Sequence, residues 1–427
     1  MLAFRKLCLG IAAASLLAVL AGLALSNAAL WSPAAVLAAL GLAIGLGAVP
    51  SLKGYQYTAW IFAAVVTAMI YPAAFLRWGN FDLRNKWVVL VVVQTVMFGM
   101  GTQMSLKDFV GVMKMPWGVA VAVGCQFLIM PLTGFALIHL FDLPAEIAAG
   151  VILIGSCSSG LASNVMCYIA RANLALSITA TSITTLIAPI MTPLWMKLLA
   201  GQLVEVKFTN MMIEIVKIVI VPIGAALIHD YLKHAAPGVA RRFVVAQVVC
   251  AVAAVGLFVS FDAAWMLALA EGARLACELL AFLFGAVAFG VLYHQITRVL
   301  PRLEAAMPLL SMAGIVYFTT VTTAAGRNHL LLVGGVLFLV AALHNGAGYF
   351  FGYWLARLAG LDRASCRTVA IEVGLQNGGM ASGLAGAMGK LATVGLAAAV
   401  FSPWMNISGS ILANYWRKRP VEDAARK

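Results

Sequence analysis

Apolar residues dominate stretches of roughly 17–25 positions along most of this chain, the length that lets a helix cross a bilayer core of about 30 Å. Backbone N–H and C=O groups inside lipid must be paired within the segment, so these stretches are predicted to be helices. Charged residues make up only 10% of the 427 residues, whereas a soluble domain has about 25%. The sequence therefore predicts an all-α integral membrane protein embedded in the lipid bilayer.

Fourteen such segments can be delimited, and they predict about 14 spans. The predicted spans are 8–28, 33–50, 56–75, 87–105, 117–141, 145–170, 174–200, 209–232, 244–261, 275–296, 308–325, 330–357, 364–388 and 391–416. The apolar stretch within 1–30 also fits a cleaved signal peptide. A second apolar segment follows almost at once, which favours a retained helix.

The distribution of basic residues predicts the orientation. With the N-terminus inside, 19 of the 28 Lys and Arg residues fall on the cytoplasmic side, which is the bias that orients membrane proteins. We therefore expect a multi-pass protein of the plasma (inner) membrane with both termini cytoplasmic. The net charge of +13 is then a topology signal, and no nucleic-acid partner is expected.

The sequence lacks the patterns of a metal centre or an enzyme. Its seven cysteines are scattered and show no CxxC or Cys/His ligand spacing, so they are predicted to be small buried apolar residues. No nucleophile–base constellation or phosphate loop occurs. We expect no catalytic residues and no cofactor.

Two of the apolar segments are interrupted by small and polar residues. The segment 145–170 contains Gly155 to Asn164, and the segment 364–388 contains Glu372 to Gly383. Glycine weakens a helix by about 1 kcal/mol relative to alanine, so both helices should break near their middles. Paired interruptions of this kind indicate the binding site of a secondary transporter. The alternative is close helix packing through small residues, which leaves the carboxylate, amides and hydroxyls at the breaks unexplained.

Glu372 is the main candidate among these polar residues. No basic residue lies within four positions of it, and a buried carboxylate without a cationic partner either takes a proton or holds a cation. Unwound carbonyls and hard oxygen ligands suit Na⁺. Uncharged oxygen ligands at membrane depth are provided by Gln126, Ser163, Asn164, Ser177 and Thr181. Each hydroxyl could instead bond to its own helix.

Other intramembrane polar residues are predicted to be structural. Glu214 and Lys217 lie three apart and can pair on one helix, and Glu278 can pair with Arg274 in the same way. His344 and Asn345 are predicted to make hydrogen bonds between helices.

Motifs spread over 55–235 and 300–416 resemble those of the bile acid:sodium symporter family, in order and at similar spacing. They are Phe98–Gly101, Gln126–Pro131, Leu143–Ile147, Ala162–Val165, Asn173–Pro193, Pro308–Ile315, Leu343–Gly346, Ile371–Asn377, Phe401–Trp404 and Asn406–Gly409.

This resemblance implies a fold of two inverted five-helix repeats, divided into a core and a panel domain, in which two broken helices cross. Segments 145–170 and 364–388 would be that pair. The resemblance also implies two Na⁺ sites. The first would use Ser163, Asn164, Ser177, Thr181 and Glu372; the second would use Gln126, Glu372, Gln376 and the carbonyls of Val373 and Leu375.

The chain departs from the family pattern in three places. Two extra apolar segments occupy 1–54, an extra pair of helices is inserted within 236–300, and the substrate region differs. Many members have Cys-Pro-Gly-Gly-Thr where this chain has Cys157-Ser158-Ser159-Gly160-Leu161, and a histidine where Met405 stands. The transporter proper is then predicted to occupy 55–235 and 301–416, followed by a basic tail at 417–427.

We therefore expect Na⁺-coupled symport of an organic anion, bile-acid-like or a smaller carboxylate, by alternating access. The substrate would bind beside the crossing, near Leu161, Ala162, Asn377, Met405 and Asn406, where half-helix N-termini face an anion. The alternatives are a proton-coupled or exporting carrier of the same fold, and a membrane sensor that binds its ligand without transport. The inserted helices are expected at the periphery, as packing or homo-oligomer contacts.

Overall fold

The structure, a computed structural model, describes residues 2–50, 52, 55–419 and 421, and its described part is almost entirely helical. The helices are α1 (Leu2–Ala24), α2 (Ala28–Gly45), α3 (Gln56–Ile70), α4 (Lys86–Gly101), α5 (Leu106–Lys114), α6 (Pro116–Leu140), α7 (Ala145–Ser156), α8 (Ala162–Ile169), α9 (Leu174–Ala200), α10 (Phe208–Ile215), α11 (Val221–His234), α12 (Pro237–Ser260), α13 (Ala264–Leu267), α14 (Glu271–Val299), α15 (Arg302–Ala325), α16 (Arg327–Leu358), α17 (Arg363–Gly374), α18 (Gly378–Ala387) and α19 (Val394–Arg417). A short antiparallel hairpin, β1 (Arg77–Trp78) and β2 (Phe81–Asp82), precedes α4.

Ten helices in the described part are long and apolar enough to cross a membrane, and the bent pair α4–α5 brings the number to eleven. Shorter helices cover the other predicted segments: α3, and the pairs α7–α8 and α17–α18. The protein is therefore a multi-pass, nearly all-helical membrane protein. The count of fourteen spans remains a prediction.

The two interrupted segments break where the sequence predicts. Residues 157–161 separate α7 from α8, and residues 375–377 separate α17 from α18. Both breaks lie inside the largest buried cluster of the protein, which includes Ile154, Cys157, Val373, Leu375 and Met380. The surrounding helices α6, α9, α16 and α19 pack against these broken helices, so the breaks are enclosed by protein rather than exposed to lipid.

The predicted pairing of Glu278 with Arg274 is wrong. The Lys217 ammonium lies 2.7 Å from a carboxylate oxygen of Glu278 on α14 and 2.5 Å from one of Glu214 on α10. Lys217 lies in a π-helical turn, Val216–Ile220, between α10 and α11. Because α14 packs against α11, Glu278 contacts Lys217 from a different helix. Residue spacing along α14 alone does not reveal this partner. The predicted Glu214–Lys217 pair is confirmed.

Candidate functional site

The two breaks meet and pair with each other, at a place that we call the crossing. The Gly160 N–H donates to the Leu375 carbonyl at 2.9 Å, and the Asn377 N–H donates to the Ser158 carbonyl at 2.9 Å. These bonds set Ser159 opposite Gln376 as an isolated antiparallel bridge. Each break therefore satisfies backbone groups that the other leaves open, as a membrane interior requires.

The approach at the crossing is close. A Cβ atom on Gly160 would lie 2.7 Å from the Gln376 carbonyl oxygen, so only glycine fits without a shift of backbone. Helix α16 supports the other side of the break, where the Asn345 side chain donates to the Gly374 carbonyl at 2.7 Å. His344 bonds to the Met130 carbonyl at 2.8 Å. The predicted interhelical role of His344 and Asn345 is thus confirmed.

Glu372 lies in the last turn of α17 and is 1% exposed. One carboxylate oxygen accepts from the Ser177 hydroxyl at 2.5 Å, and the other accepts from the Thr181 hydroxyl at 2.8 Å. Both hydroxyls lie on one face of α9, four residues apart. Among the described residues, Glu372 has no ion pair with Lys, Arg or His.

The oxygen atoms around the Glu372 carboxylate outnumber the hydroxyl protons that could be donated to them. The Ser177 hydroxyl is also 2.7 Å from the Asn164 side-chain oxygen, and the Thr181 hydroxyl is 3.4 Å from that oxygen. Each hydroxyl has one proton, so it cannot donate to both Glu372 and Asn164. The Ser163 hydroxyl adds a further oxygen 3.3 Å from Thr181. The structure thus gathers all five residues of the first predicted set, and a bare cation fits their unmatched lone pairs.

The second predicted set forms an adjoining chain of hydrogen bonds. The Gln126 amide donates to the Gln376 side-chain oxygen at 2.8 Å, and the Gln376 amide donates to the Val373 carbonyl at 2.6 Å. The Gln126 side-chain oxygen is buried and has no partner among the described residues. An unpartnered buried oxygen is costly, and this acceptor also fits a cation.

Ser159 connects the two sets and was not singled out from the sequence. Its hydroxyl lies 3.0 Å from the Glu372 carbonyl, 3.3 Å from the Leu375 carbonyl and 3.4 Å from the Ser163 hydroxyl. In the described residues, no hydrogen bond runs directly from the Gln126–Gln376 chain to the Glu372 carboxylate. Ser159 lies within a break that the sequence predicts, but only the crossing brings it to α17.

Asn377, a predicted substrate residue, caps α18. Its side-chain oxygen accepts from the Met380 N–H at 3.0 Å, as helix N-caps do. Its side-chain nitrogen is buried and has no partner in the described part of the chain. The crossing therefore has a free hydrogen-bond donor beside the start of a helix.

The other predicted substrate residues lie on adjoining helices. Leu161 and Ala162 are half-buried at the start of α8, Met405 is buried on α19, and the Asn406 amide donates to the Ser402 carbonyl at 2.8 Å. Helix α19 packs against both α8 and α18. No hydrogen bond joins these side chains to one another within the described residues, so their common role remains a prediction.

A known protein family matches the part of the chain that contains the first break. A family model described as the Sodium Bile acid symporter family matches residues 90–269. This match includes the first break, the hydroxyl-bearing face of α9 and the π-helical turn.

Curated relatives extend the similarity over most of the chain. An uncharacterized sodium-dependent transporter, YocS, of Bacillus subtilis (strain 168) is 33% identical over 367 residues, which are 86% of this chain and 92% of the relative. The protein named probable sodium/metabolite cotransporter BASS2, chloroplastic, of Oryza sativa subsp. japonica is 29% identical, with 86% of this chain and 72% of the relative covered. The ileal sodium/bile acid cotransporter of Homo sapiens is 30% identical, with 68% of this chain and 66% of the relative covered.

By name, these relatives are transporters or cotransporters. A relative 33% identical and covered over 92% of its length, together with the matching family model, establishes the relationship. The chain belongs to the sodium bile acid symporter family.

Proposed function

We propose that this protein imports an organic anion together with Na⁺ by alternating access. One observation carries the proposal: Glu372 is buried without a cationic partner in the described residues, among oxygens that lack enough protons to pair. A buried, uncompensated charge is expensive. Cation binding there would offset this cost, and the relatives are sodium-dependent by name.

The two sets of oxygens support two adjoining Na⁺ sites that share Glu372. The first would be formed by Ser163, Asn164, Ser177, Thr181 and Glu372, and the second by Gln126, Glu372, Val373, Leu375 and Gln376. Two cations against one carboxylate leave a net positive charge at the crossing. That charge favours an anionic substrate nearby.

The substrate would bind where α8 and α18 begin. The positive end of each helix dipole lies at this place, and the free side-chain nitrogen of Asn377 adds a donor. The apolar side chains of Leu161 and Met405 would contact the organic part of the anion. This suits a bile-acid-like molecule or a smaller carboxylate.

The finer architecture belongs to the same proposal. Fourteen spans would comprise two inverted five-helix repeats, with core and panel domains, plus two extra segments at each of 1–54 and 236–300. The protein would lie in the plasma (inner) membrane with both termini cytoplasmic. Alternating access then corresponds to movement of the core, with its crossing, against the panel.

The test is uptake of organic acids into proteoliposomes with and without a Na⁺ gradient. Glu372→Gln keeps the shape but removes the charge, so buried cations would be left uncompensated, and Na⁺-driven uptake should be lost. Glu205→Gln is the matched control, because the Glu205 side chain is 81% exposed in a loop. With two Na⁺ per monoanion, uptake by the unaltered chain should also rise when the interior is made negative.

Each alternative has its own outcome in this assay. If Glu372→Gln transports with unaltered Na⁺ dependence, the assignment of both ions is wrong. If uptake follows a proton gradient instead, Glu372 is a proton carrier. If substrate binds but does not accumulate inside the vesicles, the protein is a sensor.

A further inference from the structure

A cavity away from the crossing lies between α14 and the helices α4, α11 and α15, and Phe258 near the end of α12 also lines it. Its volume is about 540 Å³, and its lining is largely apolar and includes Phe98, Phe282 and Phe289. It extends along α14 from Phe282 to Ile296, a distance of about 21 Å at 1.5 Å per residue. A long, mainly apolar cavity of this volume suits a hydrocarbon chain.

One polar group inside this cavity has no protein partner. Tyr293 lines the cavity and is 3% exposed, and its hydroxyl is buried without a hydrogen bond among the described residues. The ring of Phe98 packs edge-on against it at 4.7 Å between centroids. An unpartnered buried hydroxyl is costly, and an oxygen acceptor of a bound molecule would offset that cost.

Basic side chains surround one end of the cavity. This basic rim is formed by the end of α11, the start of α12, the end of α14 and the start of α15. Its exposed members are Lys233, Arg241, Arg242, Arg298 and Arg302. Two acidic residues, Asp230 and Glu304, lie among the same helix ends, so the rim keeps an excess of positive charge.

Contacts between the helix ends hold the rim together beside the cavity. Gln295 on α14 donates to Gln247 on α12 at 2.8 Å, and Lys233 donates to Glu304 at 2.6 Å. Leu303, which follows Arg302, lines the cavity itself. The basic rim and the apolar cavity are therefore parts of one continuous surface.

We propose that this surface binds an anionic phospholipid, with one acyl chain in the cavity and the phosphate at the basic rim. Tyr293 lies five residues before Arg298, about 7.5 Å along the helix, so its hydroxyl can donate to an ester carbonyl below the phosphate. Basic pockets between helices bind anionic headgroups in this way. The lipid would fasten α14, from the inserted pair, to α4 and α15.

The test uses the full chain, purified in detergent, stripped of lipid and analysed by native mass spectrometry. Phosphatidylglycerol and phosphatidylcholine with identical acyl chains are added separately. Phosphatidylglycerol should be retained and should raise the melting temperature, whereas phosphatidylcholine should do so far less. Arg298→Gln with Arg302→Gln should lower the affinity for phosphatidylglycerol roughly 30-fold, because each basic residue near an anionic headgroup contributes about a fivefold factor.

A cavity-filling variant tests the acyl-chain site separately. A Cβ atom on Gly285, which lines the cavity, would meet no atom within 4 Å, so Gly285→Leu can place its side chain in the space of the lipid. Retention of phosphatidylglycerol should then be lost. Gly256→Leu on α12 is the matched control, since Gly256 is equally free of neighbours and lies outside the cavity lining.

Three results would overturn the proposal. Equal retention of the two lipids would remove the role of the basic rim. Unchanged retention by Gly285→Leu would place the acyl chain elsewhere. A melting shift with glycerol 3-phosphate as large as that with phosphatidylglycerol would indicate a site for a soluble phosphate. The arginine pair is exposed, so its result stands even if the cavity variant folds poorly.

Discussion

Thr181 contributes to the crossing through one atom. Its hydroxyl oxygen lies 2.8 Å from the Glu372 carboxylate and 3.3 Å from the Ser163 hydroxyl, while its methyl group is equivalent to one in valine. Thr181→Val therefore removes one neutral oxygen at constant shape, and Thr181→Ser restores that oxygen. The two variants separate the role of the oxygen from that of packing.

We predict that Thr181→Val raises the Na⁺ concentration for half-maximal uptake roughly fivefold, since one hydrogen-bonding group contributes about 1 kcal/mol. Thr181→Ser should stay close to the unaltered protein. Ser182→Ala serves as the control, because the Ser182 hydroxyl bonds at 2.9 Å to a carbonyl of its own helix. An unchanged Na⁺ dependence in Thr181→Val would remove Thr181 from the ion site.

Some residues of the site could be predicted from the sequence and others could not. Glu372, Ser177 and Thr181 stand out because polar atoms at membrane depth are rare, and the structure brings them together. Ser159 and the Lys217–Glu278 pair do not stand out, because their partners are more than 60 residues away in the chain. Residue spacing predicts contacts between neighbours on one helix, but it does not predict which faces of two different helices contact each other.

Among the elements, the crossing of the two breaks depends on Gly160. Because an added Cβ would lie 2.7 Å from a backbone oxygen, Gly160→Ala must push the two breaks apart. We predict a loss of about 1–3 kcal/mol of stability, as in other overpacked sites, together with loss of Na⁺-driven uptake. Thermal unfolding in detergent and uptake in proteoliposomes are the measurements.

Gly124→Ala is the control for this variant. Gly124 lies in α6, next to the Gln126 region, and an added Cβ would meet no atom within 4 Å. Alanine is the better helix former by about 1 kcal/mol, so this variant should be as stable as the original or slightly more so. If Gly160→Ala behaves like Gly124→Ala, the close approach at the crossing is not needed for function.

Element positions were largely predictable, because hydropathy and glycine content are local properties of the chain. All fourteen apolar segments correspond to helices or broken helices, and both breaks fall within the predicted stretches. The 57° bend between α4 and α5 was not predicted. It occurs at Thr102–Met104, directly before the capping box of Ser105 and Asp108 that begins α5. A capping box is a local sequence signal for the start of a helix, but the predicted span 87–105 ends at this point and α5 lies outside it.

For the whole molecule, the orientation can be tested by labelling. Cysteine introduced at Lys418, near the end of α19, should be protected from a membrane-impermeant thiol reagent in intact cells, because the charge bias places the tail inside. Cysteine at Asn80, in the loop before α4, should be labelled. Replacing the half-buried Cys250 and Cys277 with serine lowers the background. Labelling of the cysteine at position 418 in intact cells would contradict the predicted cytoplasmic location of the tail.

The pairing of two breaks also bears on how the chain is made. Ser159 and Glu372 meet across 213 positions, so the ribosome delivers the first break to the membrane long before the second one exists. During that interval the Ser158 carbonyl and the Gly160 N–H lack their final partners, in a medium that offers few substitutes. The nascent N-terminal half is therefore an unfinished insertion intermediate, which depends on the translocon or on water until α17 arrives. In the proposed function both ion sites need Glu372, so a chain that ends before α17 would have neither site.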